Sequence, residues 1–363
     1  MSTQSDADVL HAWLVAENLF PSSVRPPSAD AQARTSELAS ISETAKDVLR
    51  SRGVQLLAVN EVERKIIVFL RRARPGKKQL SLLPHEVGES EIEYRQGVAK
   101  GIGSEPPQAR GKPFYVVQQA GVDHYACGSS ISLGNCRDAG TLGALVKDPD
   151  GVLYGLTNNH ITGGCNYAPK QMPILAPGVL DVTPLGFDPT TLGYHERSIP
   201  LSTGIPGTAD VSNNLDAAIF KIRDEATVTS LQGAWYDTPN HISDIEPDME
   251  VEKVGRTTGH TTGVVIAQAH GPLGIKYAVQ GVDYEFSGDV YFDPVFIIQG
   301  KAQVFSDHGD SGSLITAVKD GVRHAVGILI GGARGQGVDY TFVLPIRSVL
   351  DKLGVSLVSG HNI

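Results

Sequence analysis

The stretch Ser306-Asp307-His308-Gly309-Asp310-Ser311-Gly312-Ser313-Leu314-Ile315 decides how this chain is read. Its core, Gly309-Asp310-Ser311-Gly312, places a serine between two glycines. A tight glycine turn lets the hydroxyl stand clear of the backbone. Small neighbours let a substrate carbonyl approach until successive N–H groups point at one developing oxyanion. Those are the needs of a serine nucleophile. A serine hydroxyl is weak alone, so a base and a carboxylate that orients it must lie elsewhere.

Both candidates stand upstream. His160 sits in Leu156-Thr157-Asn158-Asn159-His160-Ile161, and Asp216 in Asn213-Asn214-Leu215-Asp216-Ala217-Ala218-Ile219-Phe220. Asp210 and Asp224 are rivals, but only Asp216 opens an apolar strand. The order His160, Asp216, Ser311 is the chymotrypsin order, not that of subtilisin or the α/β-hydrolases.

These motifs resemble those of the trypsin-like (chymotrypsin-fold) serine proteases. Thr157-Asn158-Asn159-His160 is similar to the family's Thr-Ala-Ala-His, Leu215–Ile219 to its Asp-Ile-Ala-Leu, and Gly309–Gly312 is its nucleophile motif. Ala139–Gly143, Val254-Gly255-Arg256-Thr257-Thr258-Gly259 and Gly309–Leu314 look closest to a non-secreted bacterial and plant subgroup. The motif ends Gly-Ser where the family usually has Gly-Gly, a change that subgroup tolerates. The resemblance spans roughly residues 112–355. It implies a mainly β fold of two six-stranded antiparallel barrels, about 114–233 and 234–350, with the site between them. His160 is then general base, Asp216 its orienting carboxylate and Ser311 the nucleophile. The N–H groups of Gly309 and Ser311 form the oxyanion hole, and Asp310 holds the loop.

The resemblance also carries finer expectations. The base of the substrate pocket falls at Phe305 or Ser306, and its wall at Leu329-Ile330-Gly331-Gly332, with His308 as a wall residue. No acid stands at the pocket base, which argues against cleavage after Arg or Lys. Digestive relatives pair the aspartate before the nucleophile with a newly cut N-terminus, and no such junction is evident here. The bacterial relatives use an internal cation, which places Lys253 against Asp310, with Arg256 as second choice. Ile161 stands where secreted members carry a cysteine.

Composition sets the outer bounds. The chain has 363 residues and 41 % hydrophobic content, enough for a sizeable core. A net charge of −9 argues against a general nucleic-acid binder. No apolar run is long enough to span a membrane, and the polar, acidic start has no signal-peptide pattern. Three cysteines make no disulfide framework. Cys127 and Cys136 read as reduced thiols, with a bond between them the alternative. Together these features predict a cytoplasmic protein. His241, His260 and His270 have no metal-ligand spacing, so neither a metal nor a cofactor is expected.

Residues 1–105 read as a small α+β N-terminal domain ahead of a protease domain, 106–363. The spacing predicts helices over 8–20 and about 30–52, a hairpin at Val54–Val59 and Lys65–Leu70, and a strand before Tyr94. Arg71–Lys78 reads as a solvated turn, or as a basic patch for an acidic partner or nucleic acid. Glu105-Pro106-Pro107 through Lys112-Pro113 is the expected boundary. The segment holds nothing catalytic and is expected to control access or recruit a regulatory protein partner. Further on, short apolar runs between turn residues predict a barrel or sandwich. Ala168–Ile205, heavy in Pro and Gly, reads as a long surface connection, and Ser348–Leu353 as a terminal helix. The function expected is that of a serine endopeptidase acting on a protein or peptide substrate. The alternatives are a catalytically silent or latent pseudoprotease serving as a binding scaffold and, more remotely, an esterase.

Overall fold

The structure, a computed structural model, describes residues 2–21, 25–99, 115–119, 121–184, 186, 188–335 and 337–363. The expected boundary at 105–113 lies outside the described residues. Two β-barrels dominate the chain.

The second barrel is closed. Its strands run, in order around the ring, Glu250–Gly255, Leu314–Lys319, Val322–Arg334, Asp339–Pro345, Phe296–Gly300 and Gly259–Ala269, and the last pairs back onto the first. Every pairing is antiparallel. Period-two burial explains why these segments are strands. In Gly259–Ala269, Thr261, Gly263, Val265, Ala267 and Ala269 are buried while the residues between them are more exposed. Val265, Phe296, Ile298, Phe305, Ile315 and Val343 fill one core.

The first barrel follows the antiparallel order Ala144–Lys147, Leu153–Thr157, Ala218–Ile222, Thr190–Ser198, Pro173–Ala176, Ser130–Leu133. Gly140–Thr141 pairs with Ser130–Leu133 and leads into Ala144–Lys147, drawing the two ends of the sheet together. Two of these strands correct a sequence expectation. Pro173–Ala176 and Thr190–Ser198 lie inside the stretch read as a surface connection. A proline is tolerated at the first residue of a strand, and the buried Ile174 and Leu192 supply core contacts that the Pro and Gly content hid.

A separate hairpin, Leu273–Gln280 with Glu285–Phe292, contributes Ile275, Tyr277 and Phe292 to the core that also holds Ala217 and Ile219. The C-terminal helix Ile346–Leu353 ends at Gly354 (φ 64°), and Ser356–Leu357 then crosses over to pair with Ala144–Lys147.

The N-terminal segment does not stand apart. Its hairpin, Val54–Asn60 with Lys65–Leu70, continues the second barrel's sheet, because Ala58 and Val59 pair with Ala269 and Gln268. Both faces are buried. Leu56, Ala58, Ile67 and Phe69 join the core between the barrels. Leu57, Val59, Ile66 and Val68 pack on the helices. Those helices are Thr3–Ala16 and Glu43–Arg52. The single helix expected over 30–52 is broken, because Ser42 caps a new N-terminus by accepting from the Ala45 N–H. Among the described residues, no helix is long and apolar enough to cross a membrane.

Candidate functional site

Register brings the first pair together. Leu153–Thr157 and Ala218–Ile222 are neighbours, with Thr157 opposite Ala218. The residues just after Thr157 therefore face those just before Ala218. His160 lies in the helical turn Asn159–Gly163 and Asp216 in the extended lead-in. The Asn158 side-chain amide donates to the Asp216 carbonyl at 2.6 Å, and the His160 N–H to Asp216 Oδ1 at 3.1 Å. His160 Nδ1 lies 2.5 Å from Asp216 Oδ2. With Asp216 ionised, Nδ1 donates and Nε2 keeps the lone pair a general base needs. Both side chains are buried. The rival Asp210 instead accepts from Ser212 and Asn213, and Asp224 caps a short turn at Ala226.

The serine loop is clamped to the same barrel. Gly309 and Gly312 have φ of 95° and 94°, left-handed values that favour glycine. Thr141 N–H donates to the Ser311 carbonyl at 2.9 Å, Thr141 Oγ1 to the Gly309 carbonyl at 2.8 Å, and Thr157 Oγ1 to the Thr141 carbonyl at 2.7 Å. A Cβ on Gly312 would meet Thr157 Oγ1 at 2.4 Å, and one on Gly143 would meet the Gly312 carbonyl at 2.0 Å. Ser311 is thus held against a strand that ends three residues before His160. No hydrogen bond between the Ser311 hydroxyl and His160 is present. The Asp310, Gly312 and Ser313 N–H groups donate to Asp307, Leu329 and Asp310 carbonyls. Among the described residues, the Gly309 and Ser311 N–H groups donate to nothing.

Asp310 anchors this loop. Its Oδ1 accepts from the Thr257 and Thr258 N–H groups at 2.7 and 3.1 Å, and its Oδ2 from Thr258 Oγ1 at 2.7 Å and Asp307 N–H at 2.9 Å. Lys253 Nζ is 3.5 Å from the same Oδ2 and also donates to Thr258 Oγ1 and to the Gly259 carbonyl. Burial pushes the Lys253 ammonium below its ordinary range, and Asp310 opposes that shift. A Cβ on Gly255 would sit 2.5 Å from Asp310 Oδ1. The segment Gly255-Arg256-Thr257-Thr258-Gly259 is therefore the cradle of Asp310. Arg256, the second choice for that role, goes elsewhere. Its guanidinium makes a two-pronged pair with Asp181, which also accepts from Ser130. The fork matches a carboxylate two bonds wide, and Lys253 already serves Asp310.

The expected pocket residues divide. Phe305 is wholly buried in the second-barrel core, its ring 5.9 Å from Lys253 Nζ, and its carbonyl accepts from Thr261 Oγ1 at 2.7 Å. Ser306 Oγ lies 2.5 Å from Thr341 Oγ1, and Thr341 is the cross-strand partner of Gly332. Ser306, Thr341 and Gly332 thus lie together, next to Gly331. His308 is half-buried; its N–H donates to Asp307 Oδ1 and its carbonyl accepts from Thr257 Oγ1.

Two residues near the pair carry no sequence signal. Tyr277 donates its phenolic O–H to Asp216 Oδ2 at 2.9 Å. Burial holds the Asp138 carboxyl above the usual range. Cys127, Cys136 and Cys165 are all free and buried, so Cys127 and Cys136 are not bonded. Among the described residues, no group of three or more His, Cys, Asp or Glu side chains could hold a metal ion.

With this geometry in place, comparison adds relatives. The family described as the Nal1 C-terminal domain matches residues 237–342, a segment that contains Ser311 but neither His160 nor Asp216. Protein NARROW LEAF 1 of Oryza sativa subsp. japonica is 30 % identical over 267 residues, which is 64 % of this chain and 42 % of the rice protein. The chain therefore spans less than half the length of that relative. Among solved structures, a glutamic acid-specific serine protease matches at TM-score 0.42 and 20 % identity, over 64 % of this chain and 100 % of its own. Nocardiopsis protease matches at TM-score 0.41 and 18 % identity, over 64 % and 97 %. Thermobifida fusca protease A matches at 0.39 and 18 %, over 65 % and 100 %. Strand order and contacts within this chain define its two-barrel fold.

Proposed function

We propose that this chain is a serine endopeptidase of the trypsin-like kind. Ser311 Oγ attacks the scissile carbonyl while His160 Nε2 takes its proton. The C–N bond then breaks, the amine leaves with that proton, and water hydrolyses the acyl-enzyme by the same route. Asp216 fixes the imidazole and stabilises imidazolium, and the Gly309 and Ser311 N–H groups receive the oxyanion. The observation that carries the reading is the buried His160 Nδ1–Asp216 Oδ2 contact at 2.5 Å, on the same barrel that clamps the glycine-flanked serine. Three free thiols agree with a reducing, cytoplasmic setting. The N-terminal helices are the proposed seat of a regulatory protein partner.

A second reading, a latent or silent scaffold, draws on the missing Ser311–His160 hydrogen bond. Such bonds are often long in free enzymes and tighten with substrate. Hydrolysis of a mixed peptide library separates the two. Cleavage by the wild type, lost on the order of 10⁶-fold in Ser311→Ala and His160→Ala, supports the enzyme. Peptide binding without cleavage, equal in wild type and Ser311→Ala, supports the scaffold.

A further inference from the structure

Motifs account for His160 and Asp216, but none accounts for the side chain that touches both. Tyr277 lies on Leu273–Gln280, outside the sheet that carries the pair and outside the serine loop. Its side chain is fully buried. Its Oη donates to Asp216 Oδ2, the oxygen that meets His160 Nδ1. Its ring stands 5.4 Å from the imidazole at an interplanar angle of 66°, an edge-on contact.

We propose that Tyr277 is a positioning residue for the triad: its O–H fixes the plane of the Asp216 carboxylate, and its ring edge fixes the plane of the imidazole. The proposal rests on the peptidase reading of His160, Asp216 and Ser311. A carboxylate held by one donor per oxygen can turn about its Cβ–Cγ bond. Here Oδ1 receives the His160 N–H, while Oδ2 receives both the imidazole and the phenol. Three donors from two separate elements leave one orientation. The hairpin is then part of the site, because it brings the third donor from outside the barrel. Burial and the Asp216 charge push the phenol well above its ordinary range, so it stays a donor. Burial also pushes the Cys165 thiol and the Asp138 carboxyl above their ordinary ranges.

The test uses the full chain. In a Ser311→Ala background with ¹⁵N-labelled histidine, the His160 Nδ1–H resonance is followed by NMR with and without Tyr277→Phe. Loss of the phenol should shift that resonance and speed its exchange with water by about tenfold or more. In the serine-intact protein, Tyr277→Phe should lower kcat about tenfold and leave KM within about twofold, because the lost contact acts on the transition state. Cys165→Ala disturbs the same packing without removing a donor, and should leave the resonance in place. If Tyr277→Phe does not fold, 3-fluorotyrosine placed at position 277 keeps the shape with a more acidic O–H and should move the resonance the opposite way to loss of the donor. An unmoved resonance, or an equal change in Cys165→Ala, overturns the proposal. A wild type without peptidase activity would instead remove the peptidase reading, and the resonance would still decide whether Tyr277 orders the pair.

Discussion

Lys253 Nζ lies 3.5 Å from Asp310 Oδ2, and neither side chain reaches solvent. An internal ammonium thus faces the buried carboxylate of the residue just before Ser311. Removing one partner of such a pair leaves an uncompensated buried charge. Lys253→Met should therefore cost about 3–5 kcal/mol, with activity falling as the loop loosens. Lys253→Met with Asp310→Asn should regain much of that loss. Urea denaturation of the three proteins checks this; a single variant as stable as wild type would show the pair to be idle.

The proposed pocket residues predict specificity. Ser306 and Thr341 meet through their hydroxyls opposite Gly332, and none of these three is acidic. A substrate cation would enter without a partner, which is costly. Small or medium apolar side chains should precede the cleaved bond. Sequencing of library cleavage products checks it, and a profile dominated by Arg and Lys would contradict it.

Acid should loosen the fold through two histidines. Burial pushes the His11 and His195 imidazoles down to about 4, against about 6.5 when unfolded. The folded state keeps them neutral, so the unfolded state binds protons first. Stability is whole above about pH 6.5 and falls as pH drops toward 4, by up to about 3 kcal/mol per histidine. His195→Gln should flatten that fall between pH 6.5 and 4.5. Equal slopes for variant and wild type would contradict the assignment.

The N-terminal segment should not be removable. Leu56, Ala58, Ile67 and Phe69 share a core with Ala267, Leu273 and Tyr340. Deleting residues 1–105 bares that surface and the edge of Gly259–Ala269, so the remaining chain should aggregate or melt at lower temperature. Size-exclusion chromatography and thermal denaturation measure this. A monomer with unchanged Tm would support the separable N-terminal domain that the sequence suggested.

Legibility followed range. His160, Asp216 and Ser311 lie in short motifs whose residue types state their chemistry, and Lys253 stands beside the glycine-rich cradle of Asp310. Tyr277 has no such context: its meaning comes from a hairpin docking on another barrel. The pairing of Val54–Asn60 with Gly259–Ala269 joins segments some two hundred residues apart, and no local pattern encodes it. Thr190–Ser198 was hidden because half-buried strands with Gly193 and few apolar residues imitate a loop. For Phe305 and Ser306, spacing from the nucleophile gives a position but not a direction.

The central claim is that Ser311 is a nucleophile activated by His160 and Asp216. Its most direct measurement is covalent labelling with a fluorophosphonate, read by intact mass and peptide mapping. The wild type should gain one adduct, on Ser311, while Ser311→Ala gains none and His160→Ala and Asp216→Asn label far more slowly. A wild type that stays unlabelled at all pH values tested, or an adduct that maps to another residue, would contradict the account.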